Sequence, residues 1–112
     1  VSMSDLLKIV VKAAQERLGE DVVVMDFRGR SSLTDYFVIV SAKNDRMASS
    51  IVDRAIEKAE EAGYGVRNVE EGSQWSLVDL NDVILHVFVA DQRQVYQLEK
   101  LWGDIPRIEV EP

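Results

Sequence analysis

A chain of 112 residues, 46% hydrophobic and 29% charged, is long enough for one hydrophobic core and too apolar to stay disordered. Its 13 basic and 20 acidic side chains give a net charge of −7, which argues against nucleic-acid binding driven by phosphate neutralisation. The lack of cysteine excludes disulfides, thiolate metal sites and cysteine nucleophiles, and fits a reducing cytoplasm.

In chain order, Ser4 and Asp5 open a first helix whose apolar stripe is Leu7, Val10, Ala14 and Leu18. Gly19 then suits the left-handed position just past its end. Asp21–Asp26 is a short β-branched run that reads as a strand covered on both faces. Residues 27–34 form a polar loop around Gly29, and Tyr36–Val40 is a second buried strand. Asn44-Asp45 opens a long helix with a stripe of Ala48, Val52, Ala55, Ile56 and Ala59, closed by Gly63. Strand, helix and strand in this order predict a right-handed parallel crossover into Val66–Val69, a weak strand near an edge.

Trp75–Leu80 and Val83–Val89, separated only by Asn81-Asp82, predict a tight hairpin. A two-residue turn sets Leu80 against Val83, Val78 against Leu85 and Ser76 against Val87 on one aliphatic face, assigned to the core. The other face pairs Asp79 with Ile84, Leu77 with His86, and Trp75 with Phe88. Large apolar groups mixed with a carboxylate and an imidazole suit a protein-binding surface better than a buried layer. Asp91 and Gln94 cap a last helix with Val95, Leu98, Leu101 and Trp102 on its apolar side, ended by Gly103 and Pro106. Residues 107–112 read as a short tail. The whole is one α+β domain over residues 1–112, ordered α-β-β-α-β-β-β-α, with a mixed five-stranded sheet and a core over about 4–105.

Candidate chemistry is sparse. One histidine without cysteine cannot supply a zinc site of the usual ligand types, and the pairs Glu60-Glu61 and Glu70-Glu71 read as solvated surface. Ser31, Ser32 and Thr34 are ordinary loop residues, although His86 could serve as a base if the fold brought them to it. Gly29-Arg30-Ser31-Ser32 has one glycine and no phosphate-binding lysine. No apolar run approaches the roughly 20 residues of a membrane span, and no secretory signal is recognisable. Residues 1–56 carry 8 basic and 8 acidic side chains, whereas 57–112 carry 5 and 12, so the second half favours a basic partner.

Three stretches together are familiar: residues 31–39 (SSLTDYFVI), residues 75–83 (WSLVDLNDV), and His86-Val87-Phe88 through Arg93, Tyr96, Leu98-Glu99 and Leu101-Trp102-Gly103. In sequence and spacing this resembles the Iojap family, the bacterial ribosomal silencing factors, over about residues 4–105. The resemblance implies a nucleotidyltransferase-like fold without catalysis or cofactor. It implies a cytoplasmic factor that binds the large ribosomal subunit through the protein numbered fourteen in the large-subunit series. There it would block joining of the small subunit and repress translation when nutrients are scarce.

The residues support the non-enzymatic part. Where active nucleotidyltransferases place a pair of strand carboxylates, this chain has Asp35-Tyr36-Phe37, and Val83–Val89 offers His86 in place of the later acid. The partner-binding set is therefore Trp75, Leu77, Asp79, His86 and Phe88, with Tyr96 and Arg93 from the last helix and Asp35 and Tyr36 as a second patch. Against it stand three plainer readings. A helix covers the hairpin face and makes Trp75 and Phe88 core; Asp35 only closes its loop; Arg93 pairs with Asp91 or Asp35. The rival functions are a nucleotide-handling enzyme using Asp35 and an RNA-contacting ribosome assembly factor, with direct RNA contact a minor part at most. A homodimer is open, because the weak strand and the aromatic face each offer a self-pairing surface.

Overall fold

The computed structural model describes residues 5–30, 34–89, 100 and 103–108. The elements run α1 (Asp5–Glu16), β1 (Glu20–Asp26), β2 (Tyr36–Ala42), α2 (Asp45–Glu61), β3 (Asn68–Glu71), β4 (Trp75–Asp79), β5 (Val83–Val89) and β6 (Arg107–Ile108). The predicted Ser4 cap and the last helix, with Arg93, Tyr96 and Trp102, lie outside the described residues.

The architecture is α+β, with a mixed sheet of six described strands in the order β3-β4-β5-β2-β1-β6. Two expectations are corrected. The sheet has a sixth strand, because Arg107 and Ile108, read as tail, pair antiparallel with Met25 and Val24 of β1. The parallel neighbour of β2 is β5, with Val38 opposite Leu85 and Ile39 opposite His86. α2 therefore crosses over to a β3-β4-β5 meander instead of returning directly beside β2, and β3 lies at the edge. The hairpin register of β4 and β5 is the predicted one, Trp75 to Phe88 through Asp79 to Ile84. Asn81 supplies the positive φ of 76° that the two-residue turn requires.

α1 and α2 pack on one face of the sheet. Leu7, Val10, Ala14, Ile51, Val52 and Ala55 close over Val24, Val38, Val40, Val78, Leu85 and Val87, all without exposed surface. Strand residues one step out of phase face the other side, where Met25, Phe27, Ile39, Phe88 and Ile105 form a smaller cluster. Ile56, predicted for the buried stripe of α2, is only half-buried, and Ile51 takes its place. Asn44 caps α2 by accepting the Met47 N–H at 2.8 Å.

Both described helices end in the same hydrogen-bond pattern. After α2, the Tyr64 N–H reaches the Ala59 carbonyl and the Gly63 N–H reaches Glu60, with Gly63 left-handed at φ 91°. After α1, the Gly19 N–H reaches Ala14 and the Leu18 N–H reaches Gln15. Here the left-handed residue is Leu18, at φ 63° and 70% exposed, and Gly19 follows it. Leu18 thus leaves the predicted stripe. Gly19 is needed for space, since a Cβ there would lie 2.6 Å from Val40 Cγ2 and 2.8 Å from the Ala14 carbonyl oxygen.

The two neighbours predict opposite results by thermal or urea denaturation. Gly19→Ala destabilises by about 1–3 kcal/mol through overpacking against backbone. Leu18→Gly stabilises by about 0.5–1 kcal/mol, because an exposed side chain gives up a disfavoured backbone conformation. Equal melting temperatures for the two variants would refute this account of the turn.

Candidate functional site

The face of the sheet opposite the helices holds the predicted surface residues. Period-two alternation in β4 turns Trp75, Leu77 and Asp79 to this side, and the register sets Phe88, His86 and Ile84 opposite them on β5. Phe37 of β2 joins the group from the other flank. The rings form a continuous row. Phe27 and Phe37 have centroids 4.5 Å apart, and Phe37 meets His86 edge-on at 4.7 Å. Trp75 stacks on His86 at 5.9 Å and on Phe88 at 6.2 Å.

The expectation that all five hairpin side chains form an open surface is corrected. Phe88 is fully buried against Met25, Phe27, Ile39 and Ile105, and His86 is 6% exposed. Trp75, Leu77, Asp79, Ile84 and Phe37 remain half-buried. The periodicity that identified this face could not show how far Ile105 and Phe27, distant in sequence, would cover it. What stays accessible is a rim of Trp75, Leu77 and Ile84 with Asp79 at its end. The Asp79 carboxylate accepts the Asn81 N–H at 2.9 Å, and Asn81 in turn accepts from Arg67 at 3.0 Å. Phe37 and Ile84 were not among the predicted contacts, although Ile84 was already visible as the partner of Asp79.

The second predicted patch divides between a buried Tyr36 and an exposed Asp35. Tyr36 is buried in the helix-side core, and Arg28 lies over its ring at 5.2 Å. Arg28 is held there by two hydrogen bonds to Asp26, at 3.0 and 2.8 Å. The same bonds hold the Asp26 carboxyl below its ordinary range, while burial raises the Tyr36 phenol. Asp35 closes its loop through the main chain. Its N–H donates to Asp82, and its carbonyl accepts from Phe27. Residues 31–33 lie outside the described residues, so the serine–His86 arrangement falls there in part. Among the described residues, no group of three His, Asp or Glu side chains is placed to hold a metal ion.

His86 is the chemical anomaly of the face. Neither ring nitrogen has a hydrogen-bond partner among the described residues, and burial pushes its pKa down from 6.5 to about 4. The folded protein therefore holds the imidazole neutral where the unfolded chain would protonate it. With a depressed folded pKa, its contribution is full above about pH 6.5 and is lost as the pH falls toward 4. The loss amounts to roughly 3 kcal/mol. His86→Phe keeps a ring in the stack without a titrating group. In urea melts at pH 7 and pH 4.5, the variant should lose about 2–3 kcal/mol less than the wild type. Parallel losses would mean that the imidazole is not buried neutral.

Comparison with known proteins places this geometry in a family. The family model described as "Ribosomal silencing factor during starvation" matches residues 1–112. The ribosomal silencing factor of Bacillus subtilis is 38% identical over 95% of this chain and 92% of its own. That of Halalkalibacterium halodurans is 36% identical, covering 99% and 97%. The chloroplastic Iojap protein of Zea mays is 28% identical over 90% of this chain and 45% of its own. A crystal structure from Bacillus halodurans superposes with a TM-score of 0.83 at 33% identity, covering 95% of this chain and 98% of that one. One from Chromobacterium violaceum gives 0.85 at 25% identity, covering 100% and 91%. The chain belongs to the ribosomal silencing factor family, a family of ribosome-associated regulators and not of enzymes.

Proposed function

We propose that the protein represses translation in the cytoplasm by docking on the large ribosomal subunit and keeping the small subunit from joining. Its partner in this reading is the large-subunit protein numbered fourteen, and its contact surface is the outer face of the β4–β5 hairpin. The observation that carries the reading is the half-open rim of Trp75, Leu77 and Ile84 beside Asp79, on a sheet face that no described helix covers. An apolar centre bordered by a carboxylate suits an apolar and basic partner patch. The buried His86 and Phe88 act beneath it as the floor that fixes the indole. The proposed contacts also include Tyr96, Arg93 and the neighbourhood of Asp35. A homodimer formed through this face would have to open before docking.

Steric blockade needs no reacting group. It needs a footprint on the order of 800 Å² and bulk in the space between the subunits. A second reading, an assembly factor for the large subunit, draws on a relative in Mus musculus named "Mitochondrial assembly of ribosomal large subunit protein 1". That relative is 25% identical over 86% of this chain and 44% of its own.

Cosedimentation with isolated large subunits, followed by light scattering on addition of small subunits, tests the proposal. Wild-type protein should cosediment and suppress joining. Trp75→Ala should weaken binding about 30-fold or more, as a central aromatic anchor does. Leu77→Gln should do the same at little cost in melting temperature, because Leu77 is half-buried and lies outside the buried cluster. Retention on the purified ribosomal protein without RNA separates this reading from RNA-led assembly. Full binding by both variants would exclude the hairpin face as the contact.

A further inference from the structure

Among the described residues the sheet ends at β3, and that edge is bare. Asn68, Val69, Glu70 and Glu71 are all exposed, and among the described residues β3 pairs only with β4. The Gly72 N–H bonds the Trp75 carbonyl, and the ladder pairs Glu70 with Leu77 and Asn68 with Asp79. Antiparallel hydrogen bonds alternate, so Val69 and Glu71 turn their N–H and C=O groups away from β4. Proteins usually protect such an edge with a short strand, charged side chains, proline, a bulge or a covering segment. β3 is short and carries Glu70 and Glu71, which discourage a like-charged strand but not a basic one, and no described segment covers it.

Its chemistry selects the occupant. From Asn68 to Gln92 the sequence contains Glu70, Glu71, Asp79, Asp82 and Asp91, and no lysine or arginine. A second copy of β3 would bring glutamates against glutamates, which is repulsive at strand-pair distances. Nucleic acid offers no matching ladder and carries the same sign of charge. An extended basic peptide segment satisfies both the backbone groups and the carboxylates.

We infer that the free edge of β3 is a strand-addition site for an extended, lysine- or arginine-rich segment of the protein partner. The inference rests on the docking reading above and deepens it. Glu70 lies on the same sheet face as Leu77, so a strand added to β3 continues the surface that begins at Trp75 and Leu77. The partner would then be held by main-chain hydrogen bonds at the edge and by side-chain packing on the face.

Amide hydrogen exchange of the wild-type protein, with and without isolated large ribosomal subunits, reads the edge directly. Exchange at Val69 and Glu71 should slow at least tenfold in the bound sample. Glu71→Pro removes one outward N–H and leaves the ladder to β4 intact, and should weaken cosedimentation about tenfold or more. The double variant Glu70→Lys with Glu71→Lys, which alters no backbone group, should weaken it similarly and flatten its salt dependence. If wild-type protein cosediments but the two amides exchange unchanged and both variants bind fully, the edge inference is overturned while the docking proposal stands. If the wild type does not cosediment, both fall. Slowed amides with full binding by the lysine variant would keep strand addition and overturn the basic partner.

Discussion

The parallel pairing of β2 with β5 is the constraint on which the rest of the structure depends. These central strands carry Val38, Ile39, Val40, Leu85, Val87 and Phe88 with no exposed surface, so both faces of the sheet are committed at once. A shift of one residue in β5 would send Leu85 and Val87 away from the helices and drive His86 beneath them. The register that builds the helix-side core therefore also fixes the aromatic row, although the two share no side chains.

Burial of the second face fades across the sheet. On the β1 and β2 side, Met25, Phe27 and Ile39 close with Ile105 into a dry cluster. At β5 the cover still includes Phe88 and almost all of His86. At β4 the side chains are half-buried, and at β3 they are exposed. This gradient gives one layer two tasks. Its closed side adds to stability, whereas its open side leaves apolar area accessible, the area on which the proposed docking draws. An imidazole with no hydrogen-bond partner among the described residues costs about 1–3 kcal/mol, which flanking ring contacts of about 0.5–1.5 kcal/mol each offset.

Much of this was legible in the sequence, and the failures have physical causes. The hairpin register followed from a two-residue turn and strict alternation, both local. The caps at Asn44 and Gly63 were equally local. The parallel partner of β2 was misread because an edge strand and a central strand both satisfy a crossover rule, and only packing decides between them. Arg107–Ile108 is too short to announce itself and becomes a strand only because β1 offers an edge. Leu18 and Gly19 exchanged roles because the requirement at Gly19 is set by Val40, across the fold. At the site, the residues facing the outer side were identified correctly. Their depth was not, since it depends on Phe27 and Ile105 arriving from elsewhere in the chain.

Charge completes the asymmetry that packing begins. On the helix side, Arg54 pairs with Glu16 and Glu57, and Lys58 pairs with Glu61, so these three carboxylates meet cations within the molecule. Each exposed pair contributes little to stability, but together they leave that side nearly neutral at a distance. The meander is less compensated, because β3 and β4 carry Glu70, Glu71 and Asp79, and the adjacent Arg67 bonds the Asn81 side chain. The molecule therefore presents a field whose negative end coincides with its half-open apolar face. A basic surface approaching at physiological ionic strength feels that end within about a Debye length of 8 Å. In the docking proposed above, electrostatics would turn the protein face-on before apolar contacts form, with the acids governing the rate of encounter and the indole with its neighbours the lifetime of the complex.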